Sequence, residues 1–201
     1  MAVRGRPPLR RGVVAFDAPG WDPPKTVVLD TNVVAEALLP NEPEYAPCLA
    51  VLERLADSGT AVVFSRLLEI ELWESVFNLA LRERHPRKNI RNVRYDSRVR
   101  PRAGRLLRQA RKAWEDDLLA PLTWSRIEMH QVAEDVPTLM QEYGLQSYDA
   151  VHAATLLRSG GADLITRDGG FAILPPTIAT LHTTQARLAG TRARRRRAGH
   201  R

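Results

Sequence analysis

The chain has 201 residues, 44% of them hydrophobic and 26% charged, the proportions of an ordinary globular domain with length to spare. One cysteine, Cys48, excludes an internal disulfide and an all-cysteine zinc site and fits a reducing, cytoplasmic setting. Apolar runs are too short for a membrane-spanning helix, and a net charge of +7 directs attention to polyanionic partners.

Residues 1–25, rich in Pro, Gly and Arg without a period, read as a flexible basic arm. Thr26–Asp30 is a short apolar run ending in an acid, the pattern of a buried strand. Residues 31–39 turn helical and stop at Pro40, and residues 44–57 form a second helix closed by Ser58-Gly59. Ala61–Phe64 is a second strand. A long helix follows over 66–84, with Leu68, Leu72, Val76 and Leu79 one turn apart and Pro86 beyond its end. Residues 87–120 read as mostly helical, interrupted at Pro101 and Gly104. Ser125-Arg-Ile-Glu128 has the capping-box pattern, followed by an apolar stripe from Val132 to Tyr143 and a stop at Gly144. Ser147 is placed to cap a helix running to Arg158. Asp163–Thr166 and Thr177–Leu181 complete the strands, and residues 185–201 form a low-complexity Arg-rich tail expected to be disordered. Strands alternating with helices predict an α/β fold. A parallel sheet of about four to five strands is sandwiched by helices in three layers, with a basic helical insertion at 82–112 inside a domain spanning 26–184.

Charge is unevenly distributed. Residues 1–12 hold four Arg, residues 82–112 hold thirteen bases against Glu83 and Asp96, and residues 185–201 hold seven Arg and no acid, which leaves an acidic remainder of net charge −15. An acidic body with basic appendages suits recruitment of nucleic acid by counterion release and steering.

In a parallel sheet the site lies at the carboxyl ends of the strands, where two acids here fall, Asp30 and Asp168. Each also has a plain local role: Asp30 as an N-cap, Asp168 as a turn residue, Asp149 as a helix-dipole acid in the first turn of its helix. Glu71, Glu74, Ser75 and Asn78 share a polar arc of the long helix, and Glu69 points among its apolar residues. The helical wheel leaves open whether that arc faces solvent or a cleft. Converging carboxylates repel one another, and a divalent cation removes that penalty.

Four segments resemble the motifs of PIN-domain nucleases. Val27-Val-Leu-Asp-Thr-Asn32 is similar to the first, and Ser65-Arg-Leu-Leu-Glu-Ile-Glu71 to the second. Tyr148-Asp-Ala-Val-His-Ala-Ala154 is similar to the third, and Leu164-Ile-Thr-Arg-Asp168 with Phe171 to the fourth. The resemblance covers about residues 26–183. It implies that Asp30, Glu71, Asp149 and Asp168 are the catalytic and metal-binding acids, and it selects Glu71 over Glu69 and Glu74. By the same resemblance the cofactor is Mg²⁺ or Mn²⁺, the substrate is RNA, and the products carry 3′-hydroxyl and 5′-phosphate ends. The small bacterial members are mainly toxins of VapBC toxin–antitoxin pairs, which implies a cognate antitoxin partner and a homodimer. Two features depart from the pattern: Gly170 stands where a further acid is common, and the basic stretch 82–112 is long. They keep two alternatives in view, a non-catalytic RNA-binding adaptor with this fold and an RNA-processing nuclease outside toxin–antitoxin systems. An Asp-x-Asp nucleophile pair, as in one class of phosphatases, is absent after the first strand.

Thr31, Asn32 and Thr166 are candidates to orient the acids or a bound water. Arg94, Arg98, Arg105, Arg108, Arg111 and Lys112 are candidate phosphate contacts. His152, three residues after Asp149, reads as a packed, hydrogen-bonded residue. Trp114, beside Arg111 and Lys112, is the aromatic best placed in sequence to stack on a base, against the default of core packing.

Overall fold

The computed structural model describes residues 12–189. Residues 1–11 of the expected arm and residues 190–201 of the expected tail lie outside it. Six strands form one sheet: β1 (Val13–Ala15), β2 (Thr26–Leu29), β3 (Ala61–Ser65), β4 (Thr123–Ile127), β5 (Asp163–Ile165) and β6 (Thr180–Thr183). Their order is β1-β6-β5-β2-β3-β4, and every pairing is parallel.

The side-chain period of two divides the strand residues between two cores. Val27 and Leu29 of β2, Val62 and Phe64 of β3 and Ile165 of β5 face one core, with Val33 and Val34 of α1 (Thr31–Leu38) and Val51, Leu52 and Leu55 of α2 (Tyr45–Asp57). Val28, Val63 and Leu164 face the other. There they meet Val132 of α6 (Met129–Val132), Leu139 of α7 (Val136–Tyr143) and Ala150, Ala153, Ala154 and Leu156 of α8 (Ser147–Arg158). The result is a three-layer α/β/α sandwich. A third, smaller core joins α3 (Arg66–Arg84) to the insertion: Ala80 and Leu81 pack on Val99 and on Ala103 of α5 (Arg100–Lys112), with Ile90 and Val93 of α4 (Ile90–Val93) alongside.

Helices α1 and α2 connect β2 to β3 over one face, while α6–α8 connect β4 to β5 over the other. The chain therefore leaves β2 in one direction across the sheet and returns on its other side at β5. Between these adjacent strands lies the switch point, the crevice where ligands bind in open α/β sheets. Asp30 follows β2 directly and Asp168 lies three residues past β5.

Two strands exceed the four read from the sequence. β1 lies inside the expected arm: Val13 and Val14 pair with Leu181 and His182 of β6, Phe16 and Trp21 are buried beyond it, and Trp21 Nε1 donates to His182 Nδ1 at 3.0 Å. A three-residue strand has too few residues to show a period. β4 is an edge strand whose first four residues are exposed, so it carries no apolar signal. The expected capping box at Ser125 belongs instead to Glu128 and Gln131 at the start of α6. The last strand begins at Thr180 rather than Thr177, because Ile178 and Ala179 donate to the Pro175 carbonyl in a turn. Pro101 starts α5 instead of interrupting it. The helix then widens into a π-helical segment (Ala113–Leu119) that buries Trp114, Leu118 and Leu119. Trp114 packs edge-on to Phe64 with ring centroids 5.5 Å apart and is wholly buried. It serves the core and presents no stacking surface.

Candidate functional site

Asp30 stands at the N-cap position of α1, yet its side chain makes no capping hydrogen bond. Its Oδ2 instead accepts from Asn32 Nδ2 and Thr166 Oγ1, each at 2.5 Å. Asn32 continues the chain of contacts: its Oδ1 accepts the Arg167 backbone N–H at 2.9 Å. Thr166 Oγ1 also accepts the Asp168 N–H at 2.9 Å, so the residues flanking the switch point lock the two strand ends together. Burial is the main reason the Asp30 carboxyl is pushed above its ordinary value, with Glu71 adding repulsion.

Glu71 enters from α3. Its Oε2 accepts from Thr31 Oγ1 at 2.6 Å and lies 3.0 Å from His152 Nε2. Burial acts to raise its pKa, but these partners outweigh it and hold the carboxylate below its usual range. His152 is only 2% exposed and sits between Glu71 and Asp30, its Nε2 3.6 Å from Asp30 Oδ1. Burial disfavours the imidazolium, yet Glu71, Asp30 and Asp149 together raise its pKa. His152 is thus packed and hydrogen-bonded, as its helix position suggested, but its partner is a site acid.

Asp149, in the first turn of α8, is pushed up by partial burial and by repulsion from Asp168, Asp30 and Glu71. Asp168 is exposed and caps the 3-10 helix Gly169–Ile173, its Oδ1 accepting from Gly170 N at 2.7 Å. The four acids named by motif therefore gather at one edge and act on one another electrostatically. Their neighbours do not join them. Glu69 pairs with Arg66 at 2.5 Å and Arg126 at 3.3 Å, and Glu74 pairs with Arg94 at 2.7 Å. Of the three glutamates at the start of α3, Glu71 alone turns to the crevice.

Arg167 stands inside the fourth motif, which assigns it no role. Its side chain is 9% exposed and pairs with Glu36 of α1 and with Glu44 at 2.7 Å. Thr184 Oγ1 donates to the same Glu44 carboxylate at 2.9 Å, and Arg187 lies 3.2 Å from it. Burial would raise the Glu44 pKa, but Arg167 and Thr184 bring it below the usual range. This network fastens the Thr166–Asp168 turn to α1 and to the segment after β6. No pattern in the sequence points to it, because Arg167 lies 123 residues from Glu44 and 131 from Glu36.

Among the described residues, no three His, Cys, Asp or Glu side chains are arranged to hold a metal ion directly. The donor chemistry nonetheless fits a hard cation held partly through water: carboxylates, hydroxyls and an amide oxygen, with Asp149 bearing repulsion that added positive charge would relieve. Asp30, Glu71, Asp149 and Asp168 are the groups that would hold it.

The arrangement defines an α/β protein with an acidic crevice at the switch point of a parallel sheet. A PIN domain family model matches residues 27–175, and the chain belongs to that family, whose members are generally nucleases. A search among curated proteins returns no match. Among solved structures, VapBC2 from Rickettsia felis bound to a DNA fragment from their promoter is similar at a TM-score of 0.47 and 16% sequence identity, covering 79% of this chain and 98% of that one.

Proposed function

We propose that this chain is a divalent-metal-dependent endoribonuclease and the toxin of a VapBC-like toxin–antitoxin pair. The observation that carries the nuclease reading is the convergence of Asp30, Glu71, Asp149 and Asp168 at the switch point, with Asp149 repelled by the other three. The toxin assignment rests on the four motifs. A bound Mg²⁺ or Mn²⁺ supplies a Lewis acid that lowers the pKa of water and offsets charge building on the phosphodiester. Asp30 and Glu71 are held for this work by Thr31, Asn32, Thr166 and His152, which fix carboxylate orientation before substrate arrives. Asp149 is only partly buried and Asp168 is exposed, and both would add carboxylate oxygens to the cation's ligands. In-line attack by water leaves 3′-hydroxyl and 5′-phosphate ends. Arg94, Arg98, Arg105, Arg108, Arg111 and Lys112 bind backbone phosphates, and an antitoxin and a second copy of the chain are the expected protein partners.

The test is cleavage of single-stranded RNA with Mg²⁺ or Mn²⁺ by the wild type and by Asp149→Asn. Undiminished cleavage by the purified variant would refute the reading. Gly170, in place of a further acid, and His152, between Asp30 and Glu71, favour a second reading, a non-catalytic RNA-binding module. That module would bind RNA without cutting it and gain no melting temperature from the cations.

A further inference from the structure

The thirteen bases of 82–112 look equivalent in sequence but are not so in the fold. Arg94, Arg98, Arg102, Arg111 and Lys112 are each paired with a carboxylate, at 2.6 to 2.9 Å. Arg84 lies 3.6 Å from Asp96, and the other seven, Arg87, Lys88, Arg91, Arg105 and Arg108 among them, are exposed and have no ion-pair partner among the described residues. Three of these unpaired cations lie just before and within α4. That element has two faces. Ile90 and Val93 pack inward on Ala80 and Leu81, which turns Arg91 outward, and four residues later Tyr95 is 89% exposed. Among the described residues no other large hydrophobic side chain is as exposed. The turn is fixed in place. Asn89 caps α4 through Arg91 N–H at 3.0 Å, and Arg94 reaches Glu74 at 2.7 Å. Glu74 lies on α3 three residues after Glu71, and helical residues three apart are neighbours on the surface. The α4 turn is therefore moored one helical turn from a site acid.

An exposed aromatic ring costs apolar hydration, and unpaired cations in the same short segment of chain are the complement of a base with its flanking phosphates. We propose that the α4 turn is a subsite for single-stranded RNA, with Tyr95 stacking on an unpaired base and Arg87, Lys88 and Arg91 taking the adjoining phosphates. The inference rests on the proposed function and deepens it by naming a contact for the single-stranded substrate. It also transfers the stacking role from Trp114, which is buried, to a residue that composition alone does not distinguish.

Stacking and phosphate contact leave different signatures. Binding of a short single-stranded RNA is measured in EDTA across a salt series, using the full chain and variants that retain the wild-type melting temperature. Tyr95→Ala weakens binding roughly fivefold to a hundredfold with an unchanged salt slope, and Tyr95→Phe restores it. Arg87→Gln/Lys88→Gln/Arg91→Gln lowers the slope of log K against log salt by about 2, from roughly 0.7 per phosphate contact. The charge-neutral pair Arg102→Gln/Glu83→Gln changes neither. On fully duplex RNA, whose bases are already stacked, Tyr95→Ala has no effect. Equal loss on duplex and single strand, or wild-type affinity in Tyr95→Ala, overturns the subsite. Because no metal is present, binding is read apart from cleavage. RNA bound through Tyr95 but never cut would sink the nuclease and leave the subsite, whereas cutting with no dependence on Tyr95 would do the reverse.

Discussion

Removing the Arg167 side chain is the sharpest test of how the crevice is held. Its guanidinium is 9% exposed between Glu36 and Glu44, whose side chains are 11% and 14% exposed. Arg167→Ala leaves both carboxylates largely out of water without their main partner. Breaking a buried pair by deleting one member costs about 3–5 kcal/mol. Glu44 keeps Thr184 Oγ1 at 2.9 Å and Arg187 at 3.2 Å, which places the expected loss near the lower end, about 3 kcal/mol. For a chain of this size that corresponds to a fall in Tm of roughly 6–12 °C. Thermal unfolding followed by circular dichroism reads it directly. Adding Glu36→Gln and Glu44→Gln to Arg167→Ala should recover part of the loss, since the stranded charges are then gone. A fall of less than about 2 °C, or no recovery in the triple variant, would show that the network is solvated and holds nothing.

Three other outcomes follow from named groups. Asp149→Asn should abolish metal-dependent RNA cleavage, yet in EDTA it should melt no lower than the wild type, because it removes a carboxylate that three others repel. Mn²⁺ at a hundredfold excess over its Kd should stabilise the wild type by about 2.7 kcal/mol and the variant by much less; equal shifts would place the cation elsewhere. Glu44 has a folded-state pKa below its ordinary value of 4.5, so its contribution is present above that value and is lost as pH falls through the lowered one. The wild-type Tm should therefore drop below about pH 4.5 more steeply than that of Glu44→Gln, and parallel curves would refute the assignment. Cys48 is wholly buried, and burial pushes its thiol up to about 12, so a thiol reagent at neutral pH should react only after denaturant is added, as absorbance can follow.

What the sequence made legible follows from range. β2, β3, α3 and α8 are long or strongly patterned; α3 begins and ends where its period and stop residues place it, and α8 ends as expected but takes Ser147 as its first residue, with Gln146 and not Ser147 at the N-cap. β1 and β4 escape because one is too short to show a period and the other is a polar edge held by its backbone ladder. Asp30, Asp149 and Asp168 sit at strand or helix ends inside a motif, whereas Glu71, in the second turn of α3, is singled out only by the motif resemblance. Their partners are another matter. Thr31, Asn32 and Thr166 lie within the motifs and make contacts that could be anticipated. The Arg167 network joins four distant segments, and nothing local encodes it. Trp114 and Tyr95 show the same limit from the other side, since flanking charge says nothing about which ring the π-helical segment buries and which α4 leaves in water.

The four acids divide into two pairs, and the division explains how the fold tolerates them. Asp30 and Glu71 are the inner pair, each holding at least two hydrogen-bonding partners from Thr31, Asn32, Thr166 and His152. Asp149 and Asp168 are the outer pair. The first is only partly buried, and the second needs one oxygen for its cap on Gly170. Asp30→Ala would strand the Thr166 hydroxyl proton next to a cavity, costing about 1–3 kcal/mol, and leave Asn32 Nδ2 only its longer hydrogen bond to Thr166 Oγ1 at 3.4 Å. Asp168→Asn keeps an oxygen for the cap and sits in solvent, so stability should barely change. If the crevice is a cation site, both variants lose cleavage but only the inner one also loses stability. A stable Asp30→Ala, or an Asp168→Asn that unfolds, would mean that the contacts around the inner pair do not carry the fold at the switch point.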